Sequence, residues 1–224
     1  MDSSYIVKTR INNVLPIARE GIPFFIIGLV VALIFYFIGL TVPTIVMGLM
    51  TLFVLYFFRD PDRASDAGSD AVLSPADGKI LHVLNIEDGD NPLGEPAIKV
   101  SVFMNVFNVH VNRIPIGGRI VKIAYNPGKF FSANLDKASE QNENTKITLE
   151  SDSGQRIVFS QIAGLIARRI VCWSKEQDLV QAGQRFGLIR FGSRLDVYLP
   201  SNCKIVVLPN QKVKAGVTVL GYMS

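Results

Sequence analysis

The sequence predicts a mainly β chain of the α+β class: an antiparallel β domain with barrel-sandwich-like hairpins, preceded by an N-terminal hydrophobic helical hairpin. Short runs rich in Val and Ile, many alternating apolar with polar, recur from residue 71 to the end with Gly, Pro, Asp and Asn between them. By contrast, one long uncharged apolar stretch dominates the first 58 residues.

That stretch comes first in the chain. No residue between Glu20 and Arg59 is charged, and "GIPFFIIGLVVALIFYFIGLTVPTIVMGLMTLFVLYFF" fills the gap. One crossing of a bilayer takes about 20 residues, so residues 21–58 are long enough for two short helices, expected near 22–40 and 43–58. Pro43, between its flanking threonines, is the natural turn. The run starts too late, lasts too long and ends in "RDPDR" without a small-residue cleavage site, which excludes a cleavable signal peptide. Lys8, Arg10 and Arg19 precede it, and Arg59 and Arg63 follow. The positive-inside rule then places both flanks at the cytoplasmic face of the cell membrane. Asp60 and Asp62 weaken the second flank, and a re-entrant or in-plane pair of helices fits the same letters. The expected division is residues 1–58 as the membrane segment and 59–224 as the folded domain.

Composition agrees with membrane attachment. The 224 residues are 49% hydrophobic and only 19% charged, with a mean hydropathy of +0.31. A net charge of +4 with no basic run interleaved with aromatics argues against a nucleic-acid partner. A weakly basic face turned toward anionic headgroups fits better. Cys172 and Cys203 show no metal-ligand spacing and read as core thiols. No zinc-spaced cluster, Gly-rich phosphate loop or His-rich tract occurs, so no metal is expected.

Within the domain the strand-like runs are "AVLSPADGKILHVLNI", "AIKVSVFMNVFNVHVNRIPI", "GRIVKIAYNP", "TKITLES", "QRIVFSQIAG", "RFGLIRFGS", "RLDVYLP", "CKIVVLP" and "GVTVLGYM", separated by turns such as "EDGDNPLGEP", "SDSG" and "PNQKVKAG". "FSANLDKASEQNEN" has room for a helical turn or two, and "LIARRIVCW" suits helix or strand. A faint echo links "VQAGQRFG" at 180 with "VKAGVTVLG" at 213: Val-x-Ala-Gly, then an apolar strand and another glycine. Such glycine-punctuated hairpins suit barrel-sandwich folds.

Few residues offer chemistry. His82, in "KILHVLN", reads as a packed or surface strand residue. In "VFMNVFNVHVNRIP", strand alternation places Asn108, His110 and Asn112 on one face and Phe107, Val109 and Val111 on the other. That polar stripe meets either water or a substrate. Asp77 sits in the "SPADG" turn, as an ordinary Asp-Gly hairpin residue or as a carboxylate that orients an imidazole. Gly192 and Ser193 interrupt "RFGLIRFGSRLDVYLP", which is one bulged strand or two abutting strands. Ser193 lacks the Gly-x-Ser-x-Gly elbow of α/β hydrolases, and the domain lacks their alternating β and α pattern.

Taken together, "FRDPDR", "SPADGKI", "FMNVFNVHVNRIP", "PGKFFSANLDKASEQNEN", "QIAGLIARRIVCW" and "RFGLIRFGSRLDVYLP" closely resemble the phosphatidylserine decarboxylase family, in its short proenzyme branch. The resemblance runs from about residue 56 to the end. It implies a lyase of phospholipid biosynthesis, a zymogen whose Ser193 hydroxyl attacks the Gly192 carbonyl and converts the amide to an ester. Elimination and hydrolysis then leave a covalent pyruvoyl group at position 193. The resemblance thus implies a membrane-bound β subunit, 1–192, and an α subunit, 193–224, that stay together, with a further homo-oligomer left open. The pyruvoyl cofactor, in the electron-sink role that pyridoxal phosphate plays elsewhere, would decarboxylate phosphatidylserine to phosphatidylethanolamine through a Schiff base. It further implies that Ser193, His110 and Asp77 are the catalytic set. Asn108 and Arg113 are the candidate headgroup contacts.

This chain reads Phe-Gly-Ser-Arg where longer members read Leu-Gly-Ser-Thr, and His110-x-x-Arg113 where they carry a second histidine. Arg113 is thus a headgroup ligand or a surface strand arginine. Two other readings fit part of the sequence: a non-catalytic membrane-tethered barrel-sandwich adaptor, and an unprocessed pseudoenzyme.

Overall fold

The computed structural model describes residues 16–87, 91–132, 141–165, 169–190 and 192–224, in two compact units that meet in sequence at Asp62 and Arg63. "LDKAS" and the centre of "LIARRIVCW" lie outside the described residues.

The first unit is a helical hairpin, α1 (Ile22–Phe37) and α2 (Thr41–Phe57). Both form because their side chains are nearly all apolar and the helix satisfies its backbone internally, with the Thr44 and Thr51 hydroxyls donating back to the Leu40 and Met47 carbonyls. The turn falls at residues 38–40, three residues before Pro43. There Gly39 takes a φ of +78°, and the Ile38, Gly39 and Leu40 N–H groups donate back to Ile34, Tyr36 and Phe35 carbonyls. Pro43 instead sits in the first turn of α2, where a missing N–H costs nothing. The helices approach closely at Gly28, where a Cβ would stand 2.4 Å from Thr51 Oγ1. Helix α1 with its lead-in, Arg19–Phe37, is long and apolar enough to cross a membrane, and α2 is a shorter apolar helix. Backbone bonds from Ala18 to Phe58 and from Asp60 to Pro16 close the base.

The named strands of the second unit all pair antiparallel, and one isolated bridge, Lys129 to Asn142, is parallel. In chain order its strands are β1 (Ala71–Leu73), β2 (Gly78–Ile86), β3 (Ala97–Met104), β4 (Val111–Arg113), β5 (Gly118–Asn126), β6 (Asn144–Ser151), β7 (Arg156–Ile162), β8 (Ile170–Cys172), β9 (Leu179–Val180), β10 (Arg185–Ile189), β11 (Ser193–Pro200), β12 (Lys204–Ile205), β13 (Lys212–Val213) and β14 (Val219–Tyr222). A curled sheet runs β13-β2-β3-β11-β7-β6-β5-β9, and two small sheets run β4-β10-β8 and β1-β14-β12. Alternation sorts the faces. Val100, Val102 and Met104 of β3 and Leu195, Val197 and Leu199 of β11 enter one core with Ile147, Leu149 and Phe186. Phe159 of β7 meets Phe186 of β10 edge to face, centroids 5.0 Å apart.

One sequence expectation fails here. "VFMNVFNVHVN" is not a continuous strand: β3 ends at Met104, residues 105–110 turn, and β4 starts at Val111. Asn residues favour this local alternative because their side chains bond the backbone. Asn108 Oδ1 accepts from Asn105 N–H at 2.9 Å, and Asn105 Oδ1 from Phe107 N–H at 2.9 Å. The Val-x-Ala-Gly echo is spatial as well as sequential. Gly183 and Gly216 adopt φ of +77° and +68°, and a Cβ on Gly216 would sit 3.3 Å from the Gly183 Cα.

Candidate active site

Chain direction assembles the site. β11 is antiparallel to both β3 and β7, while β10 is antiparallel to both β4 and β8. Three of the links between these two sheets, those that follow Met104, follow Ile162 and precede Ser193, therefore start or end at one end of the curled sheet. The first carries His110 and the third carries the Gly192–Ser193 bond.

That bond lies where the chain leaves β10 in one sheet and enters β11 in another, so "RFGLIRFGSRLDVYLP" is two strands of different sheets. Gly192 makes the change of direction with φ +63°, and nothing stands within 4 Å of a Cβ there. Ser193 opens β11 opposite Met104 and is fully buried. Its Oγ has no hydrogen-bond partner among the described residues. A buried hydroxyl without a partner is costly in an ordinary core.

His110, 1% exposed, closes the first link. Its Nδ1 lies 3.0 Å from the Asn108 carbonyl, and its own carbonyl accepts from Ile189 N–H at 3.4 Å, three residues before Gly192. A proton on Nδ1 donated to that carbonyl leaves Nε2 as the basic nitrogen. Two residues on, Asn112 is buried: its Oδ1 accepts from Gln161 Nε2 at 2.9 Å, and its amide reaches Met104 Sδ at 3.6 Å. Asn108, in turn, spends its side-chain oxygen on the turn that carries His110.

Asp77 lies on the "SPADG" turn between β1 and β2. The turn is held from three sides: Arg113 N–H donates to Pro75 O at 2.9 Å, Ser74 N–H to Thr218 O at 2.7 Å, and Gly216 N–H to Ser74 O at 2.8 Å. The Asp77 carboxylate accepts from Ala215 N–H at 2.8 Å and from both terminal nitrogens of Arg63, Nη2 at 2.9 Å from Oδ2. Lys79 and Arg194 both face Phe103 in the ladder, so β2 and β11 flank β3, about two strand spacings, or about 10 Å, apart. The turn thus stands beside the site, with β3 between Asp77's strand and Ser193's.

Arg113 is not a surface strand arginine. It is 2% exposed and donates from Nη1 to Gly183 O at 3.0 Å, and its Cδ lies 2.8 Å from where a Gly216 Cβ would be. It braces the two echoed hairpins.

Two features escaped sequence reading. Arg63 was visible only as the end of "FRDPDR". The second is a buried ionic group directly after Ser193. Arg194 Nε donates to Asp196 Oδ1 at 2.6 Å and Nη2 to Asp196 Oδ2 at 3.1 Å and Ser101 Oγ at 3.0 Å, with Lys99 Nζ 3.3 Å from Asp196 Oδ2. The signal was an i, i+2 Arg-Asp pair on one face of a strand.

Neither cysteine pairs. Burial pushes the Cys203 thiol up to about 11, and burial raises Cys172 despite the Ser174 backbone bond. No cluster of His, Cys, Asp or Glu able to hold a metal occurs among the described residues.

Comparison with known proteins adds a separate line of support. A profile of the phosphatidylserine decarboxylase family matches residues 50–221. Proteins named phosphatidylserine decarboxylase proenzyme from Syntrophus aciditrophicus and Desulfotalea psychrophila are 52% and 50% identical over 206 residues, which cover 92% of this chain and 96% of each relative.

Proposed function

This chain belongs to the phosphatidylserine decarboxylase family, whose members are carboxy-lyases, and from that premise we propose that it cleaves itself at Gly192–Ser193 and then decarboxylates phosphatidylserine through a pyruvoyl group derived from Ser193. The observation that carries the reading is the buried, unpartnered Ser193 Oγ beside a glycine held at positive φ.

In the first step Ser193 Oγ attacks the Gly192 carbonyl carbon and passes its proton to His110 Nε2. The C–N bond breaks and an ester replaces the amide. Loss of the Ser193 Cα proton expels Gly192 as a carboxylate and leaves dehydroalanine, which hydrolyses with release of ammonia. A positive φ and an open carbonyl at Gly192 favour the bent approach such an attack needs. Asp77, whose carboxylate is paired with Arg63, acts on the site through its turn, which is hydrogen-bonded to Arg113, three residues after His110.

The residues present fit the group. Position 193 is enclosed, and its oxygen is free for chemistry rather than committed to packing. A pyruvoyl group supplies a carbonyl that condenses with an amine and accepts the electron pair released as carbon dioxide leaves. After cleavage, residues 193–224 hold β11 between β3 and β7, β13 against β2 and β14 against β1. The two fragments therefore stay together through sheet pairing and the shared core. The apolar hairpin anchors the enzyme where its substrate resides, and basic flanks put the domain on the cytoplasmic face. Asn108 and Arg113, the candidate headgroup contacts, also bond within the fold, Asn108 Oδ1 to Asn105 N–H and Arg113 Nη1 to Gly183 O.

Intact mass under denaturing conditions tests the reading. Two species are expected, one of about 3.5 kDa for the 32 residues from 193 onward at roughly 110 Da each. That species should carry a ketone at its start, and Ser193→Ala should leave one chain of 24.7 kDa. A single 24.7 kDa species from the unaltered chain would favour an unprocessed pseudoenzyme or an adaptor.

A further inference from the structure

The end of the fold that holds Ser193 carries an apolar rim. β3 and β7 flank β11 and run the same way, so both continue past Ser193 when they end. Three residues beyond Met104, which pairs with Ser193, comes Phe107, 62% exposed. Three residues beyond Ile162, which pairs with Arg194, comes Leu165, 63% exposed. Two large exposed apolar residues thus follow the ends of the two strands that flank Ser193. Leu179, on β9, and Leu208, beyond β12, are more exposed still, but neither lies on these links.

Cations accompany the rim. Arg169 and Arg190 lie on the second and third of the same links, joined by a backbone bond from Arg190 N–H to Arg169 O at 3.4 Å. Arg169 is exposed and Arg190 half-buried. Apolar tips beside guanidinium groups suit one kind of surface, in which acyl chains lie beneath a layer of anionic phosphate and carboxylate.

We propose that Phe107 and Leu165 insert into a phospholipid bilayer, with Arg169 and Arg190 at headgroup level, and so seat the Ser193 site on the membrane that holds its substrate. This rests on the decarboxylase reading above for the identity of the substrate. It adds that the catalytic domain itself grips the membrane, at the mouth of its site.

The test uses the full chain reconstituted in vesicles of phosphatidylserine and phosphatidylcholine, part of the latter brominated on its acyl chains. Trp173 is the only tryptophan, so Trp173→Phe with Phe107→Trp leaves one emitter at the rim. Quenching by the bromines supports insertion, and an emission unchanged by them overturns it. In parallel, Phe107→Ser with Leu165→Ser should lower decarboxylation of long-chain phosphatidylserine in vesicles about a hundredfold, the order expected when two apolar side chains lose their burial. Its activity on a water-soluble short-chain phosphatidylserine should be unchanged. Equal loss on both substrates, or loss on neither, overturns the proposal. Quenching in a chain that decarboxylates neither substrate would uphold the docking and remove the decarboxylase reading instead.

Discussion

Arg63 grips the Asp77 carboxylate with both terminal nitrogens, and its Nη1 also donates to the Ala215 carbonyl at 2.9 Å. One guanidinium thereby ties the first residue of the β unit to the "SPADG" turn and to the segment joining β13 to β14. Both side chains are only 11% exposed, so removing one partner strands the other in a poorly solvated place. Arg63→Ala should lower stability by about 3 kcal/mol, read as a shifted urea midpoint in detergent. Arg63→Lys should restore part of this, because an ammonium cannot reproduce the two-pronged contact. Equal midpoints for all three proteins would show that the pair is idle.

The two histidines should behave differently. His110 stands on the link beside the Gly192–Ser193 bond, its carbonyl accepting from Ile189 N–H, whereas His82 lies within β2 opposite Ser101. Loss of a positioned base typically costs 10²- to 10⁴-fold, so His110→Ala should slow fragment formation by about that factor. His82→Ala should leave it near the original rate. A time course of intact mass after synthesis measures both, and comparable rates for the two variants would remove His110 from the base role.

How much of this was legible beforehand follows from the range of each interaction. The strands and the apolar hairpin were readable because alternation and hydropathy are local properties of the chain. The Asn105–His110 turn was not, since its letters also alternate and only the Asn side-chain bonds to backbone break the ladder. Pro43 misled for a related reason: proline marks a helix start as readily as a turn, and Gly39 provided the positive φ that the reversal needs. Gly192 and Ser193 stood out as an interruption in a strand pattern. Their gathering with His110 depends on three links converging from two sheets, which no spacing encodes. Arg63 and Asp77 are fourteen positions apart, and Asp77 and Ala215 are 138 apart. Contacts of that reach are decided by topology, and a sequence pattern carries no trace of them beyond the charges themselves.

Position 192 should tolerate substitution in the order of left-handed propensity. Space is not limiting there, so the cost is backbone strain alone, about 1–2 kcal/mol for a residue with a Cβ. Cleavage is expected to slow roughly tenfold in Gly192→Ala, less in Gly192→Asn and more in Gly192→Val. If Ala and Val cleaved as fast as Gly, the positive φ would have no part in the reaction.

The ionic group beside Ser193 predicts a larger loss for the single change than for the double one. Arg194→Leu leaves the fully buried Asp196 with Lys99 as its remaining cation. A loss of about 3–5 kcal/mol is expected. Arg194→Leu with Asp196→Leu removes both buried charges, and Lys99, on the rim of the group, can turn to solvent. Most of the stability should return, as measured by urea unfolding of both proteins. A double variant as unstable as the single one would show that the guanidinium is needed for the shape of β11 rather than for charge balance.

Cys203 predicts a pH dependence at the alkaline end. Its thiol lies in the core beside Met223, Sγ to Sδ 3.3 Å, and burial raises it from an ordinary 9.0 to about 11. The unfolded chain ionises first as pH climbs, so the buried neutral thiol contributes fully below pH 9. That contribution is lost progressively between about pH 9 and pH 11, by roughly 2–3 kcal/mol for a two-unit difference. Other groups titrate in the same range, and the comparison with Cys203→Ala isolates this one: the variant's stability should fall less steeply over that interval. Alkylation should agree, with Cys203 in the folded protein reacting far more slowly at pH 8 than in urea, since the protonated thiol is a poor nucleophile. Parallel stability curves for the two proteins would mean that the folded core admits the thiolate, and with it the water that burial is taken to exclude.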